Sequence, residues 1–188
     1  MLWDPKLDSK TLLDDYFACR YGPAAGKMRE LYGLLDTALC NATPLKYHLV
    51  DRLNRNDKEL FPTHHLKQEA TRFDTDDAPD LVEMVASIDK CARMLDELQS
   101  QQWPEQVRAR IAEDAGPIRY AADTLHFFDV LVRANQHVQA GRRDEAKTLL
   151  PEMKRLAKAL EADTTNMKWS SSHASAANGL EASLVKRA

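Results

Sequence analysis

Apolar residues in this chain recur every three to four positions along most of its length, and almost no segment alternates apolar and polar residues with period two. The first spacing gathers side chains onto one face of a helix, whereas a half-buried strand needs the second. A barrel or a doubly wound sheet is therefore excluded from these 188 residues. The expected fold is all-α, a helical bundle of about five to seven helices with an irregular 45–74 segment.

Asp4-Pro5 and Asp8-Ser9 supply two successive helix starts, since Asp or Ser accepts hydrogen bonds from the free amides of a first turn and proline suits that turn. Leu12, Leu13, Tyr16, Phe17 and Cys19 are read as the inner stripe of that helix. Gly22-Pro23 ends it and opens the next, because glycine tolerates positive φ and proline suits a first turn. Met28, Leu31, Tyr32, Leu34, Leu35, Ala38 and Leu39 then follow at helical spacing, until Asn41 to Pro44 breaks the pattern. A strong helix begins at Asp77-Ala78-Pro79, with Leu81, Val82, Val85, Ile88, Cys91, Ala92, Leu95 and Leu98 facing inward. Trp103-Pro104 opens another, which Gly116-Pro117 is expected to break or kink, since proline lacks the required amide. A long helix from Ile118 ends at Gly141, and a last one follows from Asp144 with Ala146, Leu149, Leu150, Met153, Leu156, Ala157 and Leu160 inward. The expected division is a bundle over 1–163 and a loosely held or disordered tail over 164–188.

A net charge of −3 and a pI near 6.1 give no electrostatic basis for binding nucleic acid or an anionic membrane. No apolar run approaches the ~18 residues of a spanning helix. Asp4, Lys6, Asp8 and Lys10 interrupt any signal-peptide core. Cys19, Cys40 and Cys91 form no zinc-type spacing and are read as free, mostly buried thiols.

The opening Trp3-Asp4-Pro5-Lys6-Leu7-Asp8, followed by Tyr21-Gly22-Pro23-Ala24-Ala25, resembles the point where a glycosidase-type (β/α)8 barrel hands over to a C-terminal helical region. The resemblance is to α-glucuronidases, and more closely to a bacterial family with a related glycosidase-like barrel, and it covers mainly residues 2–35. It implies a detached domain or a truncated reading frame. It also implies a role in carbohydrate metabolism, relatives that are commonly exported, and a partner barrel in the same or a neighbouring reading frame. Leu2, Trp3 and Leu7 have no preceding element to pack on, which makes them candidate docking residues for that barrel or for self-association.

The sharpest polar constellation is Asp123, His126, Arg133 and His137, which share one helix face by i/i+3/i+4 spacing. Such a face can meet sugar hydroxyls or a partner's carboxylates, but charged outer faces are common and carry weak ion pairs. His64-His65 with Glu59 and Glu69 does not make a metal site, because adjacent helical residues point about 100° apart. Glycoside cleavage needs two carboxylates facing each other across a sugar. In the resembled family these sit at barrel strand ends, so no catalytic, cofactor or metal residue is assigned. The expected function is a non-catalytic accessory domain of a glycosidase-like protein, serving packing, oligomerisation or cleft shaping. The alternative is a free-standing tetratricopeptide-like interaction module, for which Gly141-Arg142-Arg143-Asp144-Glu145-Ala146 resembles the inter-helix turn.

Overall fold

The computed structural model describes residues 8–39 and 81–163, together with 178 and 181. Among them the chain is an all-α bundle with no strand. Its helices are α1 (Ser9–Tyr21), α2 (Ala25–Leu39), α3 (Leu81–Ser100), α4 (Glu105–Gln139) and α5 (Arg143–Asp163), with a single 3-10 turn at Gly22–Ala24. The irregular 45–74 segment and nearly all of the tail lie outside the described residues, as do Leu2, Trp3 and Leu7.

α1 starts where Asp8 accepts a hydrogen bond from the Thr11 amide at 3.3 Å. It ends at Gly22, with φ 49° and ψ −118°, whose amide bonds to the Ala18 carbonyl. Only glycine visits that region readily. A Cβ there would meet Val107 Cγ2 at an ordinary 3.9 Å, so the obstacle to a larger residue is backbone strain and not space. Gly22→Val is expected to lower stability by about 1–2 kcal/mol. Denaturant unfolding checks this, and an unchanged midpoint would mean the turn relaxes without cost.

α2 and α3 lie against each other through Met28, Leu31 and Ala38 on one side and Met84, Ile88, Cys91 and Leu95 on the other, all with no exposed surface. The Cys91 thiol points at the Leu31 carbonyl, 3.6 Å away, and burial pushes its pKa up to about 11. The Trp103 indole donates to the Leu98 carbonyl at 2.7 Å, filling one of the open acceptors at the end of α3 and turning the chain into α4.

α4 is the spine. It packs against α3 and α5 and, near its start, against α1. Leu125, Phe127, Phe128, Val130, Leu131, Val132 and Ala134 are buried nearly all round its later half. It closes in a Schellman motif: the Gly141 amide bonds to the Val138 carbonyl at 3.1 Å and the Arg142 amide to the His137 carbonyl at 2.9 Å. Gly141 supplies the positive φ of 75° that this motif needs. α5 then returns along α4, burying Ala146, Met153, Leu156, Ala157 and Leu160.

Three expectations need correction. Of the break or kink expected at Gly116-Pro117, the break does not occur, since α4 runs through Pro117 as one 35-residue helix. Both Pro117 and Glu113, whose carbonyl loses its usual amide partner, are exposed, so water can take the place of the missing bond. Second, Leu12, Leu13 and Tyr16 are 45–50% exposed, and Cys19 is exposed as well. α1 is an edge helix turned so that Phe17 and Tyr21 enter the core, which leaves Leu12, Tyr16 and Cys19 on the outer face and Leu13 at its margin. Third, Val82 is 72% exposed, while Met84 takes the inward position two residues on.

Candidate functional site

Asp123, His126, Arg133 and His137 all lie on α4, and each is drawn to a different neighbour. His126 Nε2 lies 2.9 Å from Asp89 Oδ1 of α3. Arg133 pairs with Asp129 of its own helix at 2.8 Å. His137 Nδ1 lies 2.9 Å from Glu145 Oε2 at the start of α5, and Arg142 joins the same carboxylate at 3.1 Å. Asp123 lies within electrostatic reach of Arg155 on α5. Arg155 in turn forms a two-pronged pair with Glu152, at 2.7 and 2.8 Å, which lowers the Glu152 pKa. At 1.5 Å per residue, Asp123 and His137 stand about 21 Å apart. Asp123, His126 and His137 tie α4 to α3 and α5 along a stripe while Arg133 pairs within α4, and the four do not converge on a point where a small ligand would be gripped.

A denser polar cluster, not anticipated from the sequence, sits where α1 ends. Tyr21 is fully buried and its ring stacks on Phe17, with centroids 5.7 Å apart. Its hydroxyl donates to Asp114 Oδ2 of α4. Arg20 Nε donates to the Tyr21 oxygen at 3.0 Å, and its Nη2 reaches Asp114 Oδ1 and Glu113 Oε2, each at 3.2 Å. Arg110, one turn before Asp114, donates to the Cys19 carbonyl at 3.0 Å and to the Arg20 carbonyl. The Tyr32 hydroxyl of α2 joins the cluster through Tyr21. Burial, and then the adjacent Asp114 carboxylate, push the Tyr21 phenol well above its ordinary pKa, and burial does the same to Tyr32.

A phenol beside a carboxylate can serve proton transfer, but here the phenol stays protonated and its donor and acceptor capacity is taken up by Asp114 and Arg20. The cluster is therefore a latch, fastening the end of α1 to α4 and satisfying carbonyls that the helix terminus leaves open. The sequence signal that points to it is slight: Arg110 and Asp114 are spaced i, i+4 on one face of α4, with nothing to say which helix end they meet.

Among the described residues, no group of three or more His, Cys, Asp or Glu side chains is placed to hold a metal ion. None of the described helices is long and apolar enough to cross a membrane. The most exposed large apolar side chains among the described residues are Leu12, Leu13 and Tyr16, within about 100° of one another on α1, and Val82 on α3. No protein family, curated protein or solved structure matches this chain.

Proposed function

We propose that the chain is a non-catalytic helical domain that packs against a glycosidase-like barrel, docking through the outer face of α1. The observation that carries this reading is the row formed by Leu12, Leu13 and Tyr16, each about half exposed on a helix that has two fully inward residues, Phe17 and Tyr21. A row of large apolar side chains facing water marks an interaction surface. It falls inside the segment whose Trp3-Asp4-Pro5 and Tyr21-Gly22-Pro23 motifs resemble the handover from such a barrel, which is why the barrel is named as the occupant. The polar residues add to the non-catalytic side of the proposal, since those of the α4 stripe and the α1 latch are taken up by neighbouring side chains and carbonyls.

A second reading, a free-standing interaction module of tetratricopeptide type, draws on the α4–α5 turn, where Gly141 has positive φ and Ala146 is fully buried. It ranks lower, because a whole repeat of that class spans about 34 residues with two helices, whereas α4 alone has 35 residues.

Two measurements test the leading reading. A detached docking face is expected to self-associate at tens of micromolar, a free energy of roughly −6 kcal/mol, and Leu12→Ser with Tyr16→Ser is expected to return the chain to monomer while it stays folded. A wild-type chain that sediments as a monomer at that concentration overturns the docking role. The chain is also expected to hydrolyse no aryl glycoside, including glucuronides. Turnover above background that disappears on replacing one Asp or Glu overturns the non-catalytic role.

A further inference from the structure

α1 differs from the other helices in how it is held. Every residue from Asp8 to Tyr16 is exposed, and burial on this helix begins at Phe17. Its attachment is concentrated in the last turn: two aromatic side chains, Phe17 and Tyr21, and the polar latch to Asp114, Glu113 and Arg110. Further toward its start, Arg29 of α2 pairs with Asp14, both partly exposed. The chain then leaves α1 through Gly22, the residue with φ 49°, and Pro23, in a 3-10 turn of only three residues. α2, by contrast, is anchored along its length by Met28, Leu31 and Ala38.

Segments with few buried apolar contacts open with less free energy than the whole fold, in contiguous cooperative units, and terminal segments open most readily. A short turn with a permissive glycine is the place where such an opening concentrates its change in φ and ψ. We infer that α1 is a hinged arm, which detaches about Gly22–Pro23 while α2, α3, α4 and α5 stay folded, and that the Tyr21–Asp114 latch sets how often it does so. Detachment breaks the Tyr21–Asp114, Arg20–Asp114 and Arg110–carbonyl bonds together, because all of them cross from the end of α1 to one turn of α4. Closure reforms them as a set, so the arm has two positions. This goes beyond the docking role, and it is tested without any partner.

The test is amide hydrogen exchange with mass readout on the full chain, at a few micromolar and neutral pH. The amides of α1 from Leu13 to Tyr21 are expected to exchange at least tenfold faster, after correction for intrinsic rates, than those of α4 from Leu125 to Ala134. Asp114→Asn keeps the shape of the side chain and removes its charge. It is expected to speed α1 exchange about tenfold further while leaving the α4 amides within twofold of wild type. Asp96→Asn, which weakens the exposed pair between α3 and Arg119 of α4, is expected to leave α1 exchange unchanged. Equal protection in α1 and α4, or an Asp114→Asn variant in which both accelerate together, overturns the hinge. If Asp114→Asn leaves α1 unchanged, the latch does not control the arm and that part of the inference fails. Should Asp114→Asn not fold, the four-helix remainder depends on the latch, and the independent arm is overturned by that outcome.

Discussion

Leu95→Ala is expected to destabilise the folded chain by about 2–5 kcal/mol, and Leu12→Ala by less than about 0.5 kcal/mol. Both leucines sit on helices and both fall on the apolar stripe that the spacing defines. Leu95 has no exposed surface and lies in the α3 face that meets α2 and α4, so truncation removes buried methyl groups and leaves a cavity among rigid neighbours. Leu12 is 45% exposed on the outer face of α1, and alanine in its place loses little burial while gaining slightly in helix propensity. Urea unfolding of the two variants at one protein concentration, kept below the onset of self-association, separates the cases. Similar losses for both would mean that the outer face of α1 is buried in the folded state, and the docking proposal would lose its carrying observation.

Pro117→Ala is expected to make the protein more stable by about 2 kcal/mol. Proline in a helix interior is about 3 kcal/mol worse than alanine, because it removes one backbone bond and crowds the preceding turn. Its stiffening of the unfolded chain offsets about 0.4–1 kcal/mol of that. Pro117 lies inside α4 on an exposed position, and restoring the amide gives the Glu113 carbonyl a helical partner. The neighbouring Gly116 is also exposed, and a methyl group added to it would meet nothing within 4 Å, so Gly116→Ala is expected to add about 0.5–1 kcal/mol more. Loss of stability in Pro117→Ala would show that the proline shapes α4 to fit α3 and α5, in which case straightening the helix strains both contacts. Thermal unfolding of the single and double variants gives the sign directly.

The bundle was legible in the residues because α2, α3 and α5 each carry one well-defined apolar stripe, and a stripe that narrow has one way to be buried. α1 was not legible in the same way. Leu12, Leu13, Tyr16, Phe17, Cys19 and Tyr21 surround most of the helix, and only the position of its neighbours decides that Phe17 and Tyr21 turn inward. At Pro117 the local rule against proline in a helix is overridden by burial of α4 on both sides of it, a tertiary effect that propensity does not contain. The shared face of Asp123, His126, Arg133 and His137 follows from spacing alone. Their partners, Asp89 on α3 and Glu145 on α5 among them, depend on which helices flank α4. The Arg20–Tyr21–Asp114 latch was hidden for the same reason, since its members stand 93 or 94 residues apart in the chain.

That separation has a consequence for how the molecule is made. At about 5–20 residues per second, roughly 5–20 seconds pass between synthesis of Tyr21 and arrival of Asp114 at the same point of the ribosome. For nearly all of that interval Arg110 is also absent, so the Cys19 and Arg20 carbonyls lack the guanidinium that bonds them in the folded chain. Isolated helices of this length are marginal in water. α1 therefore emerges early and is completed late: its final turn becomes defined when the first half of α4 has formed and swings its guanidinium and carboxylate beneath it. Until then Leu12, Leu13, Tyr16, Phe17 and Tyr21 are all open to other chains, and this nascent window is when the domain is most exposed to wrong association and to capture by chaperones.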